Sequence, residues 1–140
     1  MNKSRIIITC AKGIPPFIRK EVLSLGFPVV SQGVASLETE GTMADAMRLN
    51  LFIRTGQRVL FLLEEFRAQN PDEICSRLSE IAWEDYIYED GYLCVTSSVD
   101  NPTIKDSRFA NVKSKDAIVD RIKKKRGRRP DSGPERTGAV

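Results

Sequence analysis

The chain has 140 residues, 41% of them apolar, enough for a real core in one ordinary domain or two small ones. Histidine is absent, which excludes Ser-His-Asp and Cys-His nucleophile pairs and histidine metal sites, while Cys10, Cys75 and Cys94 lie far apart without a CxxC pair, against a zinc site or disulfide framework. The net charge is only +3, no run approaches the roughly 18 apolar residues of a membrane span, and GxGxxG and GxxxxGK[ST] are both missing, so the expectation is a soluble cytoplasmic protein without metal ligands or catalytic residues.

Arg5 to Cys10 is a short β-branched run closed by Gly13, which predicts a strand and a turn. Pro15 and Pro16 suit a first helical turn, Phe17, Ile18, Val22 and Leu25 recur at helical steps, and Gly26 stands at the C-cap position. Pro28 to Val30 and Val34 to Thr39 predict two paired strands around a turn at Ser31, Gln32 and Gly33. Thr42 is a candidate N-cap for a second helix carrying Met43, Ala46, Met47, Leu49 and Leu51 and ending before Gly56. Val59 to Phe66 then reads as a strand. The order β-α-β-β-α-β is the ferredoxin-like arrangement, which places the fold in the α+β class.

Asn70-Pro71-Asp72 opens a third helix with Ile74, Leu78 and Ile81 on one face, leading to the single tryptophan, Trp83. An indole can stack on a base, but heavy average burial makes core packing at a domain joint the favoured role. Tyr92 to Val99 alternates as a strand does, and Asn101-Pro102 ends it.

The most informative stretch is basic. Between Lys105 and Arg129 eleven Lys or Arg face three Asp, a local excess of eight positive charges, so the rest of the chain carries −5. Within the stretch Ser107 to Arg126, an apolar stripe of Phe109, Val112, Ile118, Val119 and Ile122 with a stop at Gly127 and Pro130 predicts a helix whose core is Lys115 to Lys125. Cations in a last turn gain roughly 0.3 to 1 kcal/mol each from the helix dipole, which covers one or two of them. Seven within nine residues (Arg121 to Arg129) repel one another and call for a polyanion or an acidic surface. Charge alone leaves a phosphate-contacting surface and a solvated helix with a basic tail equally open. Asp116 and Asp120, four apart, read as helical salt links to neighbouring lysines.

Several segments together resemble one family. Val112-Lys113-Ser114-Lys115-Asp116-Ala117-Ile118-Val119-Asp120-Arg121 with Gly127-Arg128-Arg129-Pro130 is similar to the THUMP signature of bacterial 23S ribosomal RNA guanine-N2 methyltransferases. Cys10-Ala11-Lys12-Gly13-Ile14, Glu21 to Gly26, Asn50-Leu51-Phe52-Ile53-Arg54-Thr55 and Ile81-Ala82-Trp83-Glu84-Asp85-Tyr86 resemble the same enzymes in the same order. The resemblance implies a ferredoxin-like domain over residues 1–66 followed by an incomplete α/β THUMP domain over 67–140, whose missing strands would leave an open sheet edge. Ser114 departs from the aliphatic residue expected there, which implies a weaker first turn or a helix cap.

On this resemblance the chain captures structured RNA, ribosomal RNA in particular, for the parent's own methyltransferase domain, which would use S-adenosylmethionine; no cofactor and no methyl-transfer residue falls within the chain. Lys105, Arg108, Lys113, Lys115, Lys123, Arg126, Arg128 and Arg129, at the helix ends and in the flanking turn, are the candidate phosphate contacts. The alternatives are a protein-interaction module whose basic helix docks an acidic partner surface, and the THUMP part of a transfer-RNA modification enzyme.

Overall fold

The computed structural model describes residues 2–133, so the last seven residues assigned to the second domain lie outside it. The chain forms two compact units, 1–65 and 66–140.

In the first unit the elements are β1 (Ser4–Thr9), α1 (Pro15–Ser24), β2 (Ser31–Gln32), β3 (Ser36–Gly41), α2 (Met43–Phe52) and β4 (Arg58–Phe61). The sheet order is β2-β3-β1-β4 with every pairing antiparallel, the ferredoxin-like topology. Alternation along β1 sends Ile6 and Ile8 into the core opposite Thr39 and Leu37, where Ile18 and Val22 of α1 and Ala46 and Leu49 of α2 complete the packing. The other face of β1 carries Arg5, whose Nε lies 2.8 Å from Glu38 Oε1 across the strand pair. Buried Thr39 is satisfied by donating its hydroxyl to the Pro28 carbonyl at 2.5 Å.

Local signals set the helix ends. Gly26 has φ +88°, and the bonds Phe27 N–H to Val22 O (3.1 Å) and Gly26 N–H to Leu23 O (3.0 Å) form a Schellman motif, with Phe27 and Val22 meeting in the core. At α2, Thr42 and Asp45 cap each other reciprocally: the Asp45 amide donates to Thr42 Oγ1 and the Thr42 amide to Asp45 Oδ2.

Three expectations change. The predicted turn at Ser31–Gly33 lies too early: Ser31 and Gln32 are β2 itself, and the chain reverses over Gly33 to Ser36, where the Gly33 amide donates to Ser36 O at 2.8 Å. Proline has no N–H for a ladder, so Pro28 precedes the strand rather than joining it. β4 stops at Phe61 rather than Phe66, because its partner β1 begins at Ser4 and only the Leu62 amide adds one more bond, to Arg5 O. Phe17, Met47 and Leu51 stay more than half exposed, so the buried stripes are narrower than the apolar patterns.

Gly56, between α2 and β4, occupies a site that admits no side chain: an added Cβ would lie 2.7 Å from Ile8 Cγ2 and 2.9 Å from Ile53 Cγ2. Gly56→Ala is therefore expected to destabilise this unit by about 1–3 kcal/mol through overpacking. Urea unfolding followed by far-ultraviolet circular dichroism measures it, and an unchanged midpoint would mean that the two isoleucines yield freely.

The second unit contains α3 (Pro71–Glu80), a 3-10 turn (Trp83–Asp85), β5 (Tyr92–Leu93), α4 (Ser107–Arg126) and β6 (Asp131–Ser132). Asn70 caps α3 by accepting the Glu73 amide at 2.9 Å. Helices α3 and α4 pack together, and Ile104, Ile118, Val119, Ile122 and Pro130 are buried among the described residues. β5 and β6 pair in parallel. The strand expected over Tyr92–Val99 is thus two residues long, since among the described residues only Asp131 and Ser132 offer it a ladder. Trp83 is partly buried and donates its indole N–H to Leu78 O at 2.7 Å, tying the end of α3 to the 3-10 turn.

Candidate nucleic-acid interface

α4 is longer than the Lys115–Lys125 core read from the sequence. It starts at Ser107, with Asp106 as its cap accepting the Arg108 amide at 2.8 Å, and ends at Gly127, whose φ of +75° closes it on a bond to Lys123 O. Ser114 accordingly sits mid-helix and caps nothing. The buried face is narrower than expected, because Phe109 and Val112 are about half exposed and only Ile118, Val119 and Ile122 are covered.

Twenty residues of helix span about 30 Å. Lys105 and Arg108 therefore stand at one end and Lys123, Arg126, Arg128 and Arg129 at the other, with Lys113 and Lys115 between. The eight candidates do not converge on one point. Lys113 rests over the Phe109 ring, its Nζ 5.7 Å from the centroid, and Lys115 Nζ lies 3.9 Å from Asp116. Asp120 pairs not with a lysine but with Arg129, 3.6 Å away across the Gly127 turn.

The crowd of cations at the C-terminal end divides in two. Arg121 and Arg126 turn inward. Arg121 grips Glu84 through Nε (3.2 Å to Oε2) and Nη2 (2.8 Å to Oε1) and donates from Nη1 to Ser79 O at 2.8 Å, with both charged side chains below 20% exposure. Those hydrogen bonds from Arg121 hold the Glu84 carboxyl at a pKa of about 2, and Glu84 in turn raises that of Arg121. Arg126 donates its guanidinium to the carbonyls of Glu84 and Ile87. These two arginines hold the Trp83 segment onto α4. Among the sequence candidates, Arg126 is therefore a structural residue first.

Lys123, Lys124, Lys125 and Arg128 remain outside, exposed and with no carboxylate within ion-pair distance among the described residues. Lys124 and Lys125 were not among the sequence candidates; the signal for them was their place in an unbroken Lys-Lys-Lys run. The exposed set is what a polyanion would meet, since lysine offers a compact charge and arginine a fork for phosphate oxygens.

In the first unit, Glu21 does a different task. Its carboxylate accepts the Arg54 amide (3.0 Å), the Thr55 amide (3.3 Å) and the Thr55 hydroxyl (2.6 Å), fastening the α2–β4 loop to α1. Partial burial acts to raise its pKa, but these hydrogen bonds outweigh that and lower it. Among the described residues no helix is long and apolar enough to cross a membrane, and no group of three metal-binding side chains occurs.

Comparison with known proteins agrees with both halves. Residues 5–60 match the family described as the RlmL ferredoxin-like domain, and residues 68–132 match the THUMP domain. The ribosomal RNA large subunit methyltransferase K/L of Syntrophotalea carbinolica is 33% identical over 132 residues, covering 94% of this chain and 18% of that protein. The enzyme of the same name from Pseudomonas aeruginosa is 32% identical over 125 residues, 89% of this chain and 17% of the relative. The chain thus spans less than a fifth of the length of these relatives. A crystal structure described as a predicted N6-adenine-specific DNA methylase from Listeria monocytogenes superposes with a TM-score of 0.76 at 28% identity, covering 89% of this chain and 33% of that one. By topology and by both matches, the chain is an RlmL-type ferredoxin-like domain followed by a THUMP domain, the pair found in ribosomal RNA large subunit methyltransferase relatives.

Proposed function

We propose that this chain is the RNA-capturing part of a ribosomal RNA guanine-N2 methyltransferase, gripping structured RNA for methyl transfer performed by a separate domain of the parent protein. The observation that carries the reading is the set Lys123, Lys124, Lys125 and Arg128, four exposed cations at one end of α4 without carboxylate partners among the described residues, in a unit matched by the THUMP family. Phosphate contacts of this kind supply affinity and register rather than base identity. The division into a first domain over 1–66 and a second over 67–140 belongs to the same proposal.

S-adenosylmethionine, the cofactor such chemistry needs, has no fitting cradle in the described residues. The close-packed glycines Gly41, Gly56 and Gly91 stand against the protein's own atoms, those of Asp45 and Ile6, of Ile8 and Ile53, and of Tyr88 and Ile87 in turn, rather than against an open cleft. No step is therefore assigned to the cofactor in this chain.

The chain is expected to bind a ribosomal RNA stem-loop with an affinity that falls steeply between 50 and 200 mM salt, and photocrosslinks should map to residues 105–129. Crosslinks confined to other segments, or binding indifferent to salt, would overturn the reading. In the first case the protein-interaction role of the basic helix would gain instead.

A further inference from the structure

One pocket beside the end of α4 combines features that the phosphate-contact reading leaves unused. It is lined by Tyr88, Glu89, Ile122, Arg126, Arg128 and Pro130. Its wall includes a guanidinium whose position is fixed: Arg126 is held by the carbonyls of Glu84 and Ile87, neutral acceptors that orient the charge without cancelling it. A guanidinium has five N–H donors, so this one retains donors for a further acceptor. Arg128 adds a second, exposed cation from the turn after Gly127.

Tyr88 supplies the other half. It is 82% exposed, the most exposed of the large hydrophobic side chains in the described residues, and so contributes little to its own fold. A lone exposed aromatic needs no explanation. An exposed aromatic ring sharing a pocket with two arginines does, because that is the composition of a single-strand binding subsite: a π-face for a base and cations for its phosphate. The neighbouring Tyr86 differs, since its ring packs edge-on against Trp83 with centroids 6.5 Å apart. Glu89 on the same wall repels phosphate from its side, and it can accept a base N–H, so the phosphate belongs with the arginines and the base with Tyr88 and Glu89.

We propose that this pocket holds one unpaired nucleotide of the bound RNA, its base stacked on Tyr88 and its phosphate on Arg126 and Arg128. The inference rests on the RNA-capturing reading and adds a subsite for an unstacked base to a surface that otherwise contacts only backbone.

The test uses the full 140-residue chain and a fluorescein-labelled ribosomal RNA hairpin whose loop supplies unpaired bases. Tyr88→Ala should weaken binding by roughly five- to a hundredfold with the salt slope unchanged, Tyr88→Phe should bind like the parent sequence, and Arg128→Gln should lower the slope by about one. Trp83 emission and the unfolding midpoint check that each variant is folded. If Tyr88→Ala binds normally while Lys123→Gln, Lys124→Gln and Lys125→Gln together weaken binding, the pocket assignment fails and the RNA reading stands. If the unaltered chain does not bind the hairpin, both fail.

Discussion

Changing Lys123, Lys124 and Lys125 together to glutamine is expected to reduce affinity for a ribosomal RNA stem-loop about a hundredfold near physiological salt and to flatten the salt dependence by about two to three in log-log slope. Each phosphate neutralised by a cation releases condensed counterions, with a slope of roughly 0.7 to 0.9 per contact, and three contacts multiply to that loss. Glutamine suits a helix as well as lysine does, so the fold should persist. The three side chains are exposed and make no ion pair among the described residues, so no ion pair is broken by the change. Fluorescence anisotropy titrations at 50, 100 and 200 mM salt measure both quantities. Unchanged affinity would remove the basic end of α4 from the interface. The same replacement at Lys105, just ahead of α4 and about 25 Å of helix away, should cost far less if binding is centred on the C-terminal end.

The second large effect concerns the fold of the second unit. Arg121→Met is expected to lower its unfolding midpoint by several degrees, because the change leaves Glu84 and Ser79 O without their donors in a site where Glu84 is only 18% exposed. Trp83, the single tryptophan and the neighbour of Glu84, reports the transition directly. The pH dependence carries a definite sign. Glu84 titrates near 2 when folded and near the ordinary 4.5 when unfolded, so its contribution is complete above about 4.5 and disappears as pH falls towards 2. The unaltered protein should therefore lose stability over that window. In Arg121→Met the acid limb should be shallower, since the folded carboxyl is no longer held low. An acid limb equally steep in both proteins would place the titrating group elsewhere.

Much of this was legible in the sequence where the signal is local. Thr42 declared the start of α2 because a hydroxyl there can take an orphan amide, and Gly26 and Gly127 declared helix ends that require left-handed backbone. The β-α-β-β-α-β order was equally readable from apolar runs separated by turns. What failed were features set by partners distant in sequence. The Tyr92–Val99 run has the alternation of a strand, but a strand extends only as far as its neighbour, and β6 supplies two residues. The hairpin turn shifted because its hydrogen bonds, not its glycine alone, decide where the chain reverses.

The interface was legible as a charge excess but not as a geometry. Counting cations treats Arg121, Arg126 and Lys124 alike, although a helix points them in different directions. One clue was available: Ile118, Ile122 and Arg126 follow at four-residue steps, so Arg126 shares the face that buries the two isoleucines. With Arg121 paired to Glu84 and Arg129 to Asp120, the repulsion argument that called for a polyanion applies to five cations rather than seven, and one of the five, Arg126, is bonded inward to carbonyls. Lys105 and Arg108, at the far end of α4, belong to a different part of the surface.

The arginine-bearing turn between α4 and β6 is anchored on both sides. Gly127 closes the helix in front of it, and buried Pro130 followed by the β5–β6 pairing fixes the chain behind it. Arg128 and Arg129 thus ride on a segment whose backbone is already ordered before any ligand arrives. A basic arm that must first become ordered loses conformational entropy on association and shows the large heat-capacity change of coupled folding. This turn avoids that cost, so whatever anion it meets encounters a rigid template whose spacing, not its adaptability, selects the partner.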